Sequence, residues 1–209
     1  MTETRSRLML QRRPLVRQML DGIGDDVLVI AGLGSPAWDI TAAGDRPLNL
    51  PMWGAMGAPV AMGLGLALAQ PSKRVLVITG DGDMLMSLGS LATVATQQPD
   101  NLAIVVLDNE KFGETGNQAT HTSPRDNGPT ASGAGADLSV IARGCGIADS
   151  RLVREESEVA QLVADVRHGK GPVFRVVKVM VEKLDFVMPP QDGALLKDRF
   201  REALIAAAK

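Results

Sequence analysis

Short apolar runs alternate with longer stretches of helical periodicity along this chain. Val27–Ala31 (VLVIA), Val75–Thr79 (VLVIT) and Leu102–Leu107 (LAIVVL) are β-branched and apolar almost throughout. Strands of a parallel sheet have this composition when both of their faces are covered. Val173–Val179 (VFRVVKV) predicts a fourth strand and Arg151–Val153 a short fifth. Between them the spacing predicts helices over Arg5–Leu20, Pro59–Ala69, Met84–Thr96, Leu138–Gly144 and Glu156–Arg167, with another over Leu195–Ala208. Alternating β and α elements argue for an α/β fold, a doubly wound parallel sheet with helices on both faces and right-handed crossovers. No repeat or linker divides the pattern. Residues 1–209 therefore read as one domain, with a core over about 25–180 and a C-terminal extension over 181–209 that ends in a helix.

One stretch breaks the pattern. His121–Ala136 (HTSPRDNGPTASGAGA) is small, polar and without periodicity. It reads either as a surface loop without fixed structure or as a lid over a ligand, because long irregular loops in compact domains are often functional.

Composition narrows the function classes. Lys and Arg number 22 against 24 Asp and Glu, a formal net charge of −2, which argues against nucleic acid as the main partner. The basic cluster Arg5–Arg17 is interrupted by leucines and reads as a helix face. Cys145, the single cysteine, excludes an internal disulfide, a cysteine-ligated iron–sulfur cluster and a multi-thiolate zinc site. The most apolar stretch, Ala55–Ala69, is shorter than the roughly 20 residues that span a bilayer, so no membrane partner is expected. The start of the chain lacks the apolar core of a secretory signal, and the expected location is the cytoplasm.

The chemistry concentrates at the strand ends, where open parallel sheets bind their ligands. After VLVIT comes Gly80-Asp81-Gly82-Asp83, directly before a predicted helix. Glycines let backbone approach a phosphate, and a helix N-terminus offers unpaired N–H groups. Asp81 would repel a phosphate unless a divalent cation lay between them, and Mg²⁺ binds in this way through one or two carboxylates plus phosphate oxygens. Asn109 follows Asp81 by 28 residues, at the end of what should be the neighbouring strand. The two side chains could share one hard cation. Each place also reads as an ordinary turn, since Gly-Asp-Gly and Asp-Asn are common turn residues.

These residues carry a resemblance. Gly80-Asp81-Gly82 followed at this distance by Asn109 resembles the thiamin diphosphate motif, and Gly54-Ala55-Met56-Gly57-Ala58-Pro59 resembles the GSMG-type segment of the same superfamily. With DRPLNLPMWGAMG and VLDNEKFGETGNQATHT, the chain is similar from about Val27 to Val179 to the pyrophosphate-binding domain of thiamin diphosphate-dependent 2-oxoacid decarboxylases. The beta subunit of sulfopyruvate decarboxylase and the matching half of phosphonopyruvate decarboxylase fit best. The resemblance implies that Asp81, Asn109 and the Lys111 carbonyl hold Mg²⁺, and that Gly80, Gly82 and Asp83 meet the diphosphate. It implies that Met56 props the cofactor, that the backbone of Gly54 and Met56 contacts the aminopyrimidine, that Phe112 also binds the cofactor, and that Gly113, Thr115, Gly116 and Gln118 lie near the thiazolium and substrate. Gln118 and His121 are the catalytic candidates; His121 also reads as a solvated loop histidine. Lys111 and Arg125 are cations that an anionic substrate tail could meet. Glu110 departs from the family pattern and adds negative charge beside the metal.

The resemblance further implies a missing half. The catalytic Glu of the superfamily sits on a separate pyrimidine-binding domain, so a partner subunit is expected, in at least an α2β2 assembly. An acetohydroxyacid-synthase-like carboligase, a 2-oxoacid:ferredoxin oxidoreductase subunit and a non-catalytic interaction subunit are the rivals. Another is a dinucleotide enzyme, because Gly32-Leu33-Gly34-Ser35-Pro36-Ala37 fits G-x-G-x-x-A.

Overall fold

A computed structural model describes residues 9–124 and 135–207. In chain order it contains α1 (Arg12–Leu20), β1 (Val27–Ala31), α2 (Ser35–Ala43), β2 (Asn49–Pro51), α3 (Pro59–Ala69), β3 (Arg74–Gly80), α4 (Asp81–Met86) and α5 (Leu88–Gln97). Next come β4 (Leu102–Asp108), a small hairpin of β5 (Lys111–Phe112) and β6 (Gln118–Ala119), α6 (Leu138–Gly144), β7 (Ser150–Val153), α7 (Val159–His168), β8 (Val173–Lys178) and α8 (Gly193–Ala206). Six strands form one parallel sheet in the order β2-β1-β3-β4-β8-β7, and β5 pairs antiparallel with β6 outside it.

The uninterrupted apolar runs follow from this architecture. Successive strand residues point to opposite faces, and here both faces are covered. In β4, Leu102, Ile104 and Val106 enter one apolar layer while Ala103, Val105 and Leu107 enter the other. Helices α1, α2 and α7 cover the second of these layers through Leu15, Val16, Met19, Ile40, Val159, Leu162 and Val166. Helices α3, α5, α6 and α8 cover the first through Val60, Leu64, Leu91, Val94, Leu138, Ala142 and Phe200.

Some boundaries differ from those predicted. The helix expected over Met84–Thr96 is two helices, α4 and α5, broken at Ser87 (φ −124°, ψ 29°), where Ser87 and Gly89 are weak helix formers. The helix expected from Glu156 opens with a 3₁₀ turn over Glu156–Glu158. Four elements were not predicted: β2, α2 and the two short hairpin strands β5 and β6. β2 is only three residues long, and α2 lacks an amphipathic period because it buries Asp39 beside Ala37 and Ile40. Residues 125–134, with Arg125 and most of the predicted loop or lid, lie outside the described residues, as do residues 5–8 of the predicted first helix.

The basic helix face is also corrected. Arg12 is buried, and its Nη1 lies 2.9 Å from Asp39 Oδ2 while Arg13 Nε lies 2.9 Å from Asp39 Oδ1. A fully buried carboxylate thus ties α1 to α2 with two guanidinium groups. Replacing Asp39 by Ala leaves both cations without it and should cost about 3–5 kcal/mol, read as a lower urea midpoint at unchanged slope.

Candidate active site

Strands β1, β3 and β4 are neighbours, with Gly80 level with Leu107. The chain leaves β1 towards β2 on one side and returns as β3 on the other. Such a reversal opens a crevice beyond the carboxyl ends of the strands. A cleft open to solvent occupies this place. Met56, Gly80, Asp81, Gly82, Asp83, Asn109, Lys111, Phe112, Gly113 and Thr115 all line it. The sequence-predicted cofactor residues therefore converge, with one exception. Gly54 lies outside the cleft, in an apolar hollow between the segment after β2 and the start of α8. The two catalytic candidates are also absent from the cleft wall. Gln118 is exposed and exchanges hydrogen bonds with Thr115 (2.7 Å each way), and His121 sits on an exposed turn.

Asp81 is the central group. It is 2% exposed, and its Oδ2 accepts hydrogen bonds from the hydroxyls of Thr120 and Thr122, the latter at 3.1 Å. Among the described residues no Lys, Arg or His pairs with it. Burial and then the neighbouring Asp108 carboxylate raise its pKa to about 6, against the opposing pull of the two hydroxyls. A buried carboxylate without a cationic partner fits a metal ion that brings its own charge. Asn109 stands at the end of the adjacent strand, its Oδ1 accepting the Lys111 N–H at 2.9 Å in a tight turn. Among the described residues no three His, Cys, Asp or Glu side chains form a metal cage. A cation here would need Asp81, an amide or carbonyl oxygen, and a ligand that brings oxygens of its own.

Glu110 does not charge the cleft as expected. Its backbone is left-handed (φ 63°), and its buried carboxylate meets Lys178 Nζ at 3.0 Å. The same ammonium lies 2.6 Å from Asp108 Oδ2. The extra carboxylate is thus turned into an ion pair behind the site.

Asp83 has a role that sequence reasoning missed. Its side chain accepts from Thr79 Oγ1 at 2.5 Å, from the Gly57 N–H and from the Leu33 N–H. Burial pushes its pKa up, against these three donors. One carboxylate therefore pins the loops after β1 and before α3 to the start of α4. This explains Gly32, where a Cβ would come within 2.1 Å of Asp83 Oδ2 and 2.7 Å of Thr79 Oγ1. The glycine pattern that resembles a dinucleotide fingerprint makes room for Asp83. The position about 20 residues on, where such enzymes carry an acid, falls at Pro51 and Met52 at the end of β2. Arg12, Leu33, Gly34, Ser35, Pro36, Leu107, Glu114 and Val179 complete the wall, and none of them was assigned to this cleft from sequence. Only proximity in the fold brings Arg12 there.

The family description "Thiamine pyrophosphate enzyme, C-terminal TPP binding domain" matches residues 38–177. The chain belongs to the thiamine pyrophosphate (thiamin diphosphate) enzymes. Within them it is 42% identical over 193 residues to sulfopyruvate decarboxylase subunit beta of Methanothermobacter thermautotrophicus, covering 92% of this chain and 95% of that one. It is 31% identical over 187 residues to phosphonopyruvate decarboxylase of Streptomyces viridochromogenes, covering 89% of this chain but 44% of the longer relative. Among solved structures, benzoylformate decarboxylase from Polynucleobacter necessarius shares the fold, with a TM-score of 0.65, 18% identity, and coverage of 89% of this chain and 36% of that one.

Two outcomes test this geometry. Gly32→Ala places a methyl group against Asp83 and should destabilise the protein by about 1–3 kcal/mol, measured by thermal unfolding. Without metal, Asp81 binds a proton as pH falls through about 6, and a cation must displace that proton. Divalent-cation affinity should therefore be level above pH 7 and fall by about tenfold per unit below pH 6. Calorimetric titration checks this; equal affinity at pH 5 and pH 7.5 contradicts it.

Proposed function

We propose that this chain is the β-type subunit of a thiamin diphosphate- and Mg²⁺-dependent decarboxylase, a carbon–carbon lyase. Its substrate would be a 2-oxoacid of the sulfopyruvate or phosphonopyruvate kind, released as an aldehyde and carbon dioxide. The observation that carries the reading is Asp81: a buried carboxylate held by hydroxyls, at a cleft edge, with Asn109 beside it. The similarity to a subunit named beta, and to a decarboxylase more than twice the length of the matched region, supports a partner. That partner would carry the pyrimidine-binding domain and the catalytic Glu, in at least an α2β2 assembly.

When bound, thiamin diphosphate supplies the electron sink that lets a 2-oxoacid lose its carboxylate. The chain's own residues hold and orient it. Asp81, Asn109 and the Lys111 carbonyl would ligate Mg²⁺, and the Gly82 and Asp83 N–H groups would meet diphosphate oxygens. Phe112 fits closely over Gly82, whose added Cβ would come within 2.5 Å of the ring, and the Met56 methyl lies 3.6 Å from the same point. These two side chains form an apolar wall against which a ring can rest. Lys111 and Arg12 place positive charge on the cleft for an anionic ligand.

The test is reconstitution. The chain co-purified with its partner, supplied with thiamin diphosphate and Mg²⁺, should release carbon dioxide and aldehyde from one member of a 2-oxoacid panel. The chain alone should not, and Asp81→Ala should abolish turnover in the complex. Full-rate decarboxylation by the chain alone, or a fully active Asp81→Ala complex, contradicts the proposal.

A further inference from the structure

We propose that Lys178 is a positioning residue for the cation site, acting on Asp81 through Asp108 and Thr122 and on Asn109 through Glu110. The inference rests on the reading of Asp81 and Asn109 as cation ligands. Lys178 is the last residue of β8, in register with Asp108 of β4, and it is absent from the cleft wall. Nothing in the GDG-to-Asn spacing points to it, since it lies 70 residues beyond Asp108.

The argument turns on how few protons the hydroxyls have to give. Thr122 Oγ1 lies 2.8 Å from Asp108 Oδ1, 2.9 Å from Thr120 Oγ1 and 3.1 Å from Asp81 Oδ2, and its single proton can serve only one of them at a time. Asp108 already accepts from Lys178 Nζ on Oδ2 and from the Glu110 N–H, at 3.1 Å, on Oδ1. That supply lessens the claim of Asp108, the nearer carboxylate, on the Thr122 proton and lets Asp81 share it, beside the Thr120 hydroxyl on the same oxygen, Oδ2. Both hydroxyls fall on Oδ2, so among the described residues no side chain donates to Oδ1, the oxygen a metal would use. Without the ammonium, Asp108 would draw the Thr122 proton to itself, and Asp81 would lose half of the pair that fixes its plane.

The second arm acts on the loop. Asn109 lies between Asp108 and Glu110, and both neighbours grip the same ammonium. Glu110 holds a left-handed backbone that a non-glycine residue rarely adopts, and the Thr120 N–H donating to its carbonyl at 3.1 Å secures it from the hairpin. Lys178 thereby sets where the turn containing Asn109 leaves β4. In metal sites, such outer partners typically change metal affinity by about 10–100-fold when removed.

The experiment is titration of the full chain with Mn²⁺ in the presence of thiamin diphosphate, followed by electron paramagnetic resonance, with thermal unfolding measured alongside. Lys178→Met should weaken Mn²⁺ binding by about 10–100-fold and alter the bound spectrum, and Lys178→Arg should recover most of the loss. Thr122→Val, which keeps the shape and removes the hydroxyl, should weaken binding in the same direction. The Thr122→Val/Lys178→Met pair should bind no worse than the weaker single variant. Wild-type affinity in a folded Lys178→Met, or losses that multiply in the double variant, overturns the proposal. Should Lys178→Met fail to fold, wild-type affinity in both Thr122→Val and Lys178→Arg overturns it. An unaltered chain that binds no Mn²⁺ overturns instead the cation-site reading beneath it, a failure visible before any variant is made.

Discussion

Asp81 and Asp108 end up at one sheet edge, both almost removed from water, within reach of a single threonine hydroxyl. Two buried carboxylates so placed repel one another and each loses hydration, costs that require specific compensation. Much of the surrounding structure supplies it. The β5–β6 hairpin turns the chain back so that Thr120 and Thr122 arrive beside Asp81. β8 inserts beside β4 and delivers Lys178 to Asp108. The left-handed turn at Glu110 directs a third carboxylate to the same ammonium, away from the cleft.

The opposite wall is organised by carboxylates of another kind. Asp83 accepts donors from three separate segments and closes the loops after β1 and before α3 around the start of α4. Asp39 does the same for two arginines, and so brings Arg12 to the cleft rim. These groups are saturated by protein donors, so their contribution is the shape of the cleft. Asp81, with hydroxyl partners alone among its side-chain donors, retains affinity for something further. The proposed Mg²⁺, with the diphosphate of the family's cofactor, would suit that remainder.

The parts legible in sequence and the parts that were not divide along a physical line. The strands of the sheet centre announce themselves because each is apolar on both faces, and strand ends locate Asp81 and Asn109 without any coordinates. β2 is too short, and α2 too evenly apolar around its buried Asp39, to carry a period. Glu110 was legible as a charge but not in its direction, which depends on Lys178 across the sheet. Arg12 was legible only as part of a basic helix face, and Asp39, 27 residues away, turns it inward. Local pattern reports what a residue's neighbours in sequence demand. It is silent on partners that only the sheet order brings together.

The same limit explains why two aspartates of one type, at the ends of adjacent strands, take different parts. Sequence spacing alone would allow either to hold a metal, for each follows a buried strand and borders a turn. Lys178 separates them. An ammonium at 2.6 Å compensates Asp108 permanently, and a metal placed there would have to displace that ammonium or repel it. Hydroxyls compensate Asp81 without net charge, so a divalent cation approaching it meets no cationic side chain among the described residues. The assignment of Asp81 as the ligand therefore rests on the difference in partners, and that difference originates in a lysine on a strand the motif never reaches.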